Sequence, residues 1–147
     1  MGEVLRVIGL DLGEKTIGVA VSDGLGITAQ GVCVIRRQSK EKDFAALAKI
    51  IAEYDINSII IGLPMNMNGS LGPQAEKALA FAGAARQRFG LPVETTDERL
   101  TTALVQKALI EGGASRAKRK TVIDMLAAQV ILQGWLDRKR REQKTCS

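Results

Sequence analysis

Histidine is absent from the 147 residues of this chain. That excludes Ser-His-Asp and Cys-His nucleophilic catalysis and any histidine metal site. Cysteine is scarce: Cys33 and Cys146 stand far apart, which excludes a zinc cluster or a disulfide framework. Aromatic residues make up 3%, too few for a platform that stacks bases on rings. No apolar run approaches the roughly 20 residues of a membrane span, and no signal-peptide pattern precedes the first apolar segment. A cytoplasmic location without membrane contact is expected. Any chemistry must therefore come from carboxylates, lysine, hydroxyls, backbone amides or a hard metal held by oxygen ligands, which selects Mg²⁺ or Mn²⁺.

What is present suits one folded domain over residues 1–147: 46% hydrophobic and 25% charged residues, in a chain long enough for a true core. The charge is unevenly spread. From Arg116 onward nine Lys or Arg face three acids, while the whole chain carries +5, so the preceding part is close to neutral. This points to a polyanionic partner near the C-terminal segment, with a solvated helix end as the simpler reading of Arg138-Lys139-Arg140-Arg141. Residues from about 138 to 147 are expected to form a flexible basic tail.

Three strands open the chain, roughly Leu5–Asp11, Thr16–Asp23 and Ile27–Arg37, with Asp23-Gly24 and Gly26 supplying turn chemistry. Phe44, Leu47, Ala48, Ile51 and Ala52 then recur at helical spacing, giving a helix from about Lys40 to Tyr54. Ser58–Leu63 is a continuous apolar run of the kind found in buried parallel strands. A Gly-, Asn- and Pro-rich loop, Pro64–Pro73, follows it. The next helix, about Gln74–Phe89, is expected to bury Ala75, Ala78, Leu79, Ala82 and Phe89. Its Gly83 costs about 1 kcal/mol relative to Ala, a loss expected to be offset by close packing. A short strand, Leu91–Thr96, a helix from Leu100 to about Glu111, a basic connector Arg116–Lys120 and a last helix, about Thr121–Arg140, complete the order. The fold class is α/β: a mixed five-stranded sheet, an antiparallel meander followed by parallel strands, flanked by helices.

Three acids stand out. Asp11 ends the apolar run Val7–Asp11, where an unpaired carboxylate is unfavourable unless it caps a turn or holds a cation. Gly13 beside it would let a ligand approach the backbone. Asp97-Glu98 ends the fifth strand; one can ligate metal while the other caps the following helix, and the longer reach favours Glu98. Asp124 interrupts an apolar helix turn, and the small Ala127 and Ala128 would let that helix lie close on a sheet. If the first, fourth and fifth strands are parallel neighbours, these acids share one sheet edge. Three clustered carboxylates repel unless they surround metal. Paired ions about 4 Å apart support in-line phosphodiester hydrolysis, a mechanism that needs no histidine.

These segments together resemble the YqgF (RuvX) family of bacterial Holliday junction resolvases and pre-rRNA nucleases. The resemblance rests on Gly9-Leu10-Asp11-Leu12-Gly13 with Lys15, Gly18–Asp23, Gly62-Leu63-Pro64 with Gly69, Asp97-Glu98-Arg99-Leu100-Thr101-Thr102, and Asp124 with Ala127-Ala128. It covers essentially the whole chain. It implies an RNase H-like fold, a divalent-metal nuclease site at Asp11, Glu98 and Asp124, and substrate contacts from Lys15, Arg99 and Thr102. It also implies a role in maturing the 5′ end of pre-16S ribosomal RNA. The expected partners are structured RNA or branched DNA, with ribosomal particles and a homodimer as further possibilities.

Two other classes stay open. Asp-Leu-Gly after an apolar strand also opens ATP-binding phosphotransferases, but those flank the nucleotide with two such domains and this chain offers one copy. A non-catalytic RNA- or ribosome-binding module would keep its function when Asp11 is neutralised.

Overall fold

The computed structural model describes residues 6–13, 15–24, 27–63, 72–97 and 116–145, with the backbone alone for Asp97, 116–124 and 140–145. Strands β1 (Val7–Leu12), β2 (Thr16–Ser22) and β3 (Ala29–Arg36) lead to helix α1 (Lys40–Glu53). Strand β4 (Ser58–Leu63), helix α2 (Pro73–Phe89), strand β5 (Val93–Asp97) and a 30-residue helix α3 (Arg116–Thr145) follow. The sheet order is β3-β2-β1-β4-β5. The first three strands are antiparallel, while β1, β4 and β5 are parallel, so their C-terminal ends do share one edge.

Alternation along the strands builds two cores. One face, with Ile8, Leu10, Ile59 and Ile61, packs on Phe44 and Leu47 of α1 and Ala78, Phe81 and Ala85 of α2. The other, with Val7, Ala20 and Ile60, packs on Ala128, Ile131, Leu132, Trp135 and Leu136 of α3. Central strands buried on both faces read as unbroken apolar runs, as β4 does. The helix ends follow local chemistry. Ser39 caps α1 by accepting from the Lys42 amide at 3.3 Å, and Gly90 ends α2 in the left-handed conformation at φ 66°.

Four expectations are corrected. Residues 116–120, expected as a connector, are helical, consistent with Arg, Ala and Lys being strong helix formers and with no Gly or Pro among them. Residues 138–145, expected as a flexible tail, continue the same helix to Thr145. On α2, Leu79 is exposed and Phe81 takes the buried position, in ring contact with Phe44 at 5.0 Å. Gly83 faces open space, so close packing does not explain it. The expected helix at Leu100–Glu111 and most of the Pro64–Pro73 loop lie outside the described residues.

Candidate active site

Gly9 and Asp11 are two residues apart on β1 and so share a sheet face. That face is covered by α3. A Cβ added at Gly9 would stand 2.8 Å from Leu132 Cβ, closer than packed atoms allow, and a tight 3.3 Å from the Ala128 carbonyl oxygen. Only glycine admits the helix here. Ala127 and Ala128 are both buried, as their size suggested. Asp124 precedes Ala128 by one helical turn, about 6 Å along the axis, and Asp11 follows Gly9 by one strand repeat, about 6.6 Å. A single contact between helix and strand therefore fixes the backbones that carry both acids.

The register extends the row. Leu10 pairs with Ile61 and Ile61 with Thr95, so Asp11, Gly62 and Thr96 stand side by side one step further on. Thr96 is buried, and its hydroxyl accepts a hydrogen bond from Arg138 Nη2. One repeat back, Glu94 accepts from Trp135 Nε1 at 2.6 Å, and Lys139 Nζ lies 5.4 Å from the Trp135 ring centroid. Arg138, though exposed, is thus tied to β5, and the half-buried Lys139 to the Trp135 ring of its own helix. Glu98, Arg99 and Thr102 lie outside the described residues.

The turn after Asp11 is held by groups from β3 and beyond. Gly13 donates its amide to the Thr16 carbonyl at 2.8 Å. A Cβ at Gly13 would meet that same carbonyl at 3.1 Å, so this glycine serves turn closure, where an approach route for ligand had been expected. Arg37 donates its amide to the Lys15 carbonyl and Nη1 to the Gly13 carbonyl, both at 2.8 Å. Its Nε lies 3.7 Å from buried Asp43, whose other oxygen accepts from the Gln38 amide at 3.0 Å. Lys15 is exposed at the tip of the turn. Sequence reasoning missed Arg37, Asp43, Thr96 and Trp135, since each acts through partners that only the fold brings near. Asp23 is a turn residue, as expected: its carboxylate accepts from the Ile27 amide at 2.8 Å and the Thr28 hydroxyl at 3.1 Å.

An acid at the C-terminal end of a parallel strand stands where ligands bind in α/β sheets. The Asp11 carboxylate is half-buried and a hard-oxygen donor, so it fits a Mg²⁺ or Mn²⁺ ligand.

Among the described residues, no helix is long and apolar enough to cross a membrane. Two solved structures share the fold. The RuvC of T. thermophilus in complex with a Holliday junction substrate matches with a TM-score of 0.57 at 15% identity, over 92% of this chain and 96% of that one. The Fowlpox virus resolvase, in complex with Holliday junction DNA, matches with a TM-score of 0.56 at 11% identity, over 90% and 97%. In sequence, the "Putative pre-16S rRNA nuclease" of Desulforamulus reducens is 56% identical over 133 residues, 90% of this chain and 97% of that protein. The protein of the same name from Myxococcus xanthus is 54% identical over 136 residues, 92% and 90%. The family model described as RuvX, Holliday junction resolvase, matches residues 5–138. With that match and these relatives, the chain belongs to the RuvX family.

Proposed function

We propose that this chain is a Mg²⁺- or Mn²⁺-dependent cytoplasmic nuclease that hydrolyses phosphodiester bonds in pre-16S ribosomal RNA during maturation of its 5′ end. The observation that carries this reading is Asp11 at the shared C-terminal edge of β1, β4 and β5, with α3 seated on Gly9 one repeat away. The names of relatives at 54–56% identity supply the substrate.

Asp11, Glu98 and Asp124 would hold the ion, which would supply Lewis-acid stabilisation of the phosphate and an activated water. Asp97 pairs with Leu63 and is out of phase with the Asp11–Gly62–Thr96 row, which favours Glu98 as the ligand from this segment. Lys15, exposed on the turn directly after Asp11, would contact a substrate phosphate; Arg37 holds that turn in place through the Gly13 and Lys15 carbonyls. Arg99 and Thr102 enter as further substrate contacts by family resemblance.

The second reading, cleavage of four-way DNA junctions, is favoured by the family's own description. The test is cleavage of end-labelled, 5′-extended small-subunit precursor RNA beside a four-way DNA junction, each with Mg²⁺ or Mn²⁺. RNA cleavage supports the proposal, and junction cleavage alone supports the resolvase. Failure to cut either, as free RNA or within ribosomal particles, overturns the nuclease.

A further inference from the structure

On the sheet face opposite α3, the first turns of α1 and α2 border a cavity of about 590 Å³ at the same C-terminal edge of the sheet. Arg37, Lys40 and Lys77 line it, with Asp43 the one acid and Phe81 an aromatic ring among the described residues of its wall. The charges do not cancel. Asp43 lies beside Arg37 at 3.7 Å, whereas among the described residues no carboxylate forms an ion pair with Lys40 or Lys77. Nearby Glu41 pairs with Arg88 at 2.9 Å. Arg37 is preset: Asp43, the Gly13 carbonyl and the Phe81 ring, 5.9 Å away, hold its guanidinium. Two uncompensated ammonium groups beside a fixed guanidinium attract a compact anion, and the positive ends of two helices reinforce them.

We infer that this cavity is a phosphate subsite, separate from the acid site, that takes a backbone phosphate of the substrate strand. Arg37 links the two places, because the side chain in the cavity wall also clamps the turn following Asp11. A strand crossing that turn past Lys15 would pass from the acid site to the cavity. The identity of the strand as RNA rests on the nuclease reading above, whereas the preference for phosphate rests on the cavity alone.

The test compares wild type, the double variant Lys40→Ala/Lys77→Ala, and Lys49→Ala as an exposed α1 lysine outside the cavity. Binding of labelled precursor RNA is followed by anisotropy in EDTA across a salt series. In the double variant Kd is expected to rise about tenfold, and the slope of log K against log salt to flatten by about 1.4, from two lost contacts at about 0.7 each for single-stranded RNA. Lys49→Ala should match wild type. Unchanged affinity and slope in the double variant would overturn the subsite.

A second arm uses inorganic pyrophosphate in a thermal-shift series. Wild type should be stabilised and the double variant should not. If wild type binds no RNA, the substrate reading fails and this arm decides alone. A pyrophosphate shift lost in the double variant upholds a phosphate site; a shift absent from wild type or retained in the variant overturns it.

Discussion

Gly9 and Leu132 are packed so closely that a methyl group on Gly9 would stand 2.8 Å from Leu132 Cβ. Leu132 Cβ is fixed to the helix backbone and cannot swing away, so Gly9→Ala must displace α3 itself. Overpacking of this kind is expected to cost about 1–3 kcal/mol. Urea denaturation should show a lower midpoint with little change in slope. Gly31→Ala is the contrast: the atom met first is Met125 Cγ at 2.6 Å, within a flexible side chain, so a smaller loss is expected.

Gly83 and Gly134 lie inside helices, and a Cβ at either meets nothing within 4 Å. Replacement by Ala should stabilise the protein by up to about 1 kcal/mol at each site, because glycine gives up more backbone freedom in a helix. Since α2 and α3 lie on opposite faces of the sheet, the two gains should add. Calorimetric melting of the single and double variants checks both statements.

These glycines also mark how far sequence can be read. Asp11 was legible because an acid at the tip of an apolar strand is chemically conspicuous, and β4 because a run of Ile needs burial on both faces. The closeness of α3 to the sheet was legible in Ala127 and Ala128. Gly83 was not, since an empty position and a crowded one carry the same letter. Arg37 was unreadable for another reason: its partner Gly13 lies 24 residues away and offers only a backbone carbonyl, which leaves no trace in residue type. Arg138 was hidden in a basic run whose average behaviour is solvation, whereas its own guanidinium is held by Thr96. Of the three proposed acids, the fold describes the frame around Asp11 and the backbone of Asp124, while Glu98 rests on the sequence and the family resemblance.

Cys33, half-buried on the edge strand β3, offers a pH test. Burial pushes its thiol above the usual range, and the Glu53 carboxylate adds to the rise. The folded protein then holds the thiol proton to higher pH than the unfolded chain does. The contribution to stability is fully present below the unfolded thiol's pKa of about 8.5 and is lost as pH rises through the folded value. In a Cys146→Ser background, reaction with a disulfide reagent at pH 8 should be slower than for a free cysteine, and faster in Glu53→Gln.

The proposed gathering of Asp11, Glu98 and Asp124 predicts that removing one of their charges helps the metal-free protein. Asp11→Asn is expected to raise the melting temperature in EDTA by relieving repulsion among the acids. The same change should abolish stabilisation by Mg²⁺, which for an intact site reaches about 2.7 kcal/mol at a hundredfold excess over Kd. A variant that still responds to Mg²⁺ as wild type does would put Asp11 outside the metal site.

The most direct measurement is single-turnover cleavage of end-labelled precursor RNA with Mn²⁺ by wild type, Asp11→Asn, Glu98→Gln and Asp124→Asn, with RNA affinity measured separately in EDTA. Each variant should bind RNA about as well as wild type and cleave it at least about a hundredfold more slowly, the scale of losing a group that stabilises the transition state. Wild-type cleavage by any one variant would contradict the shared acid site.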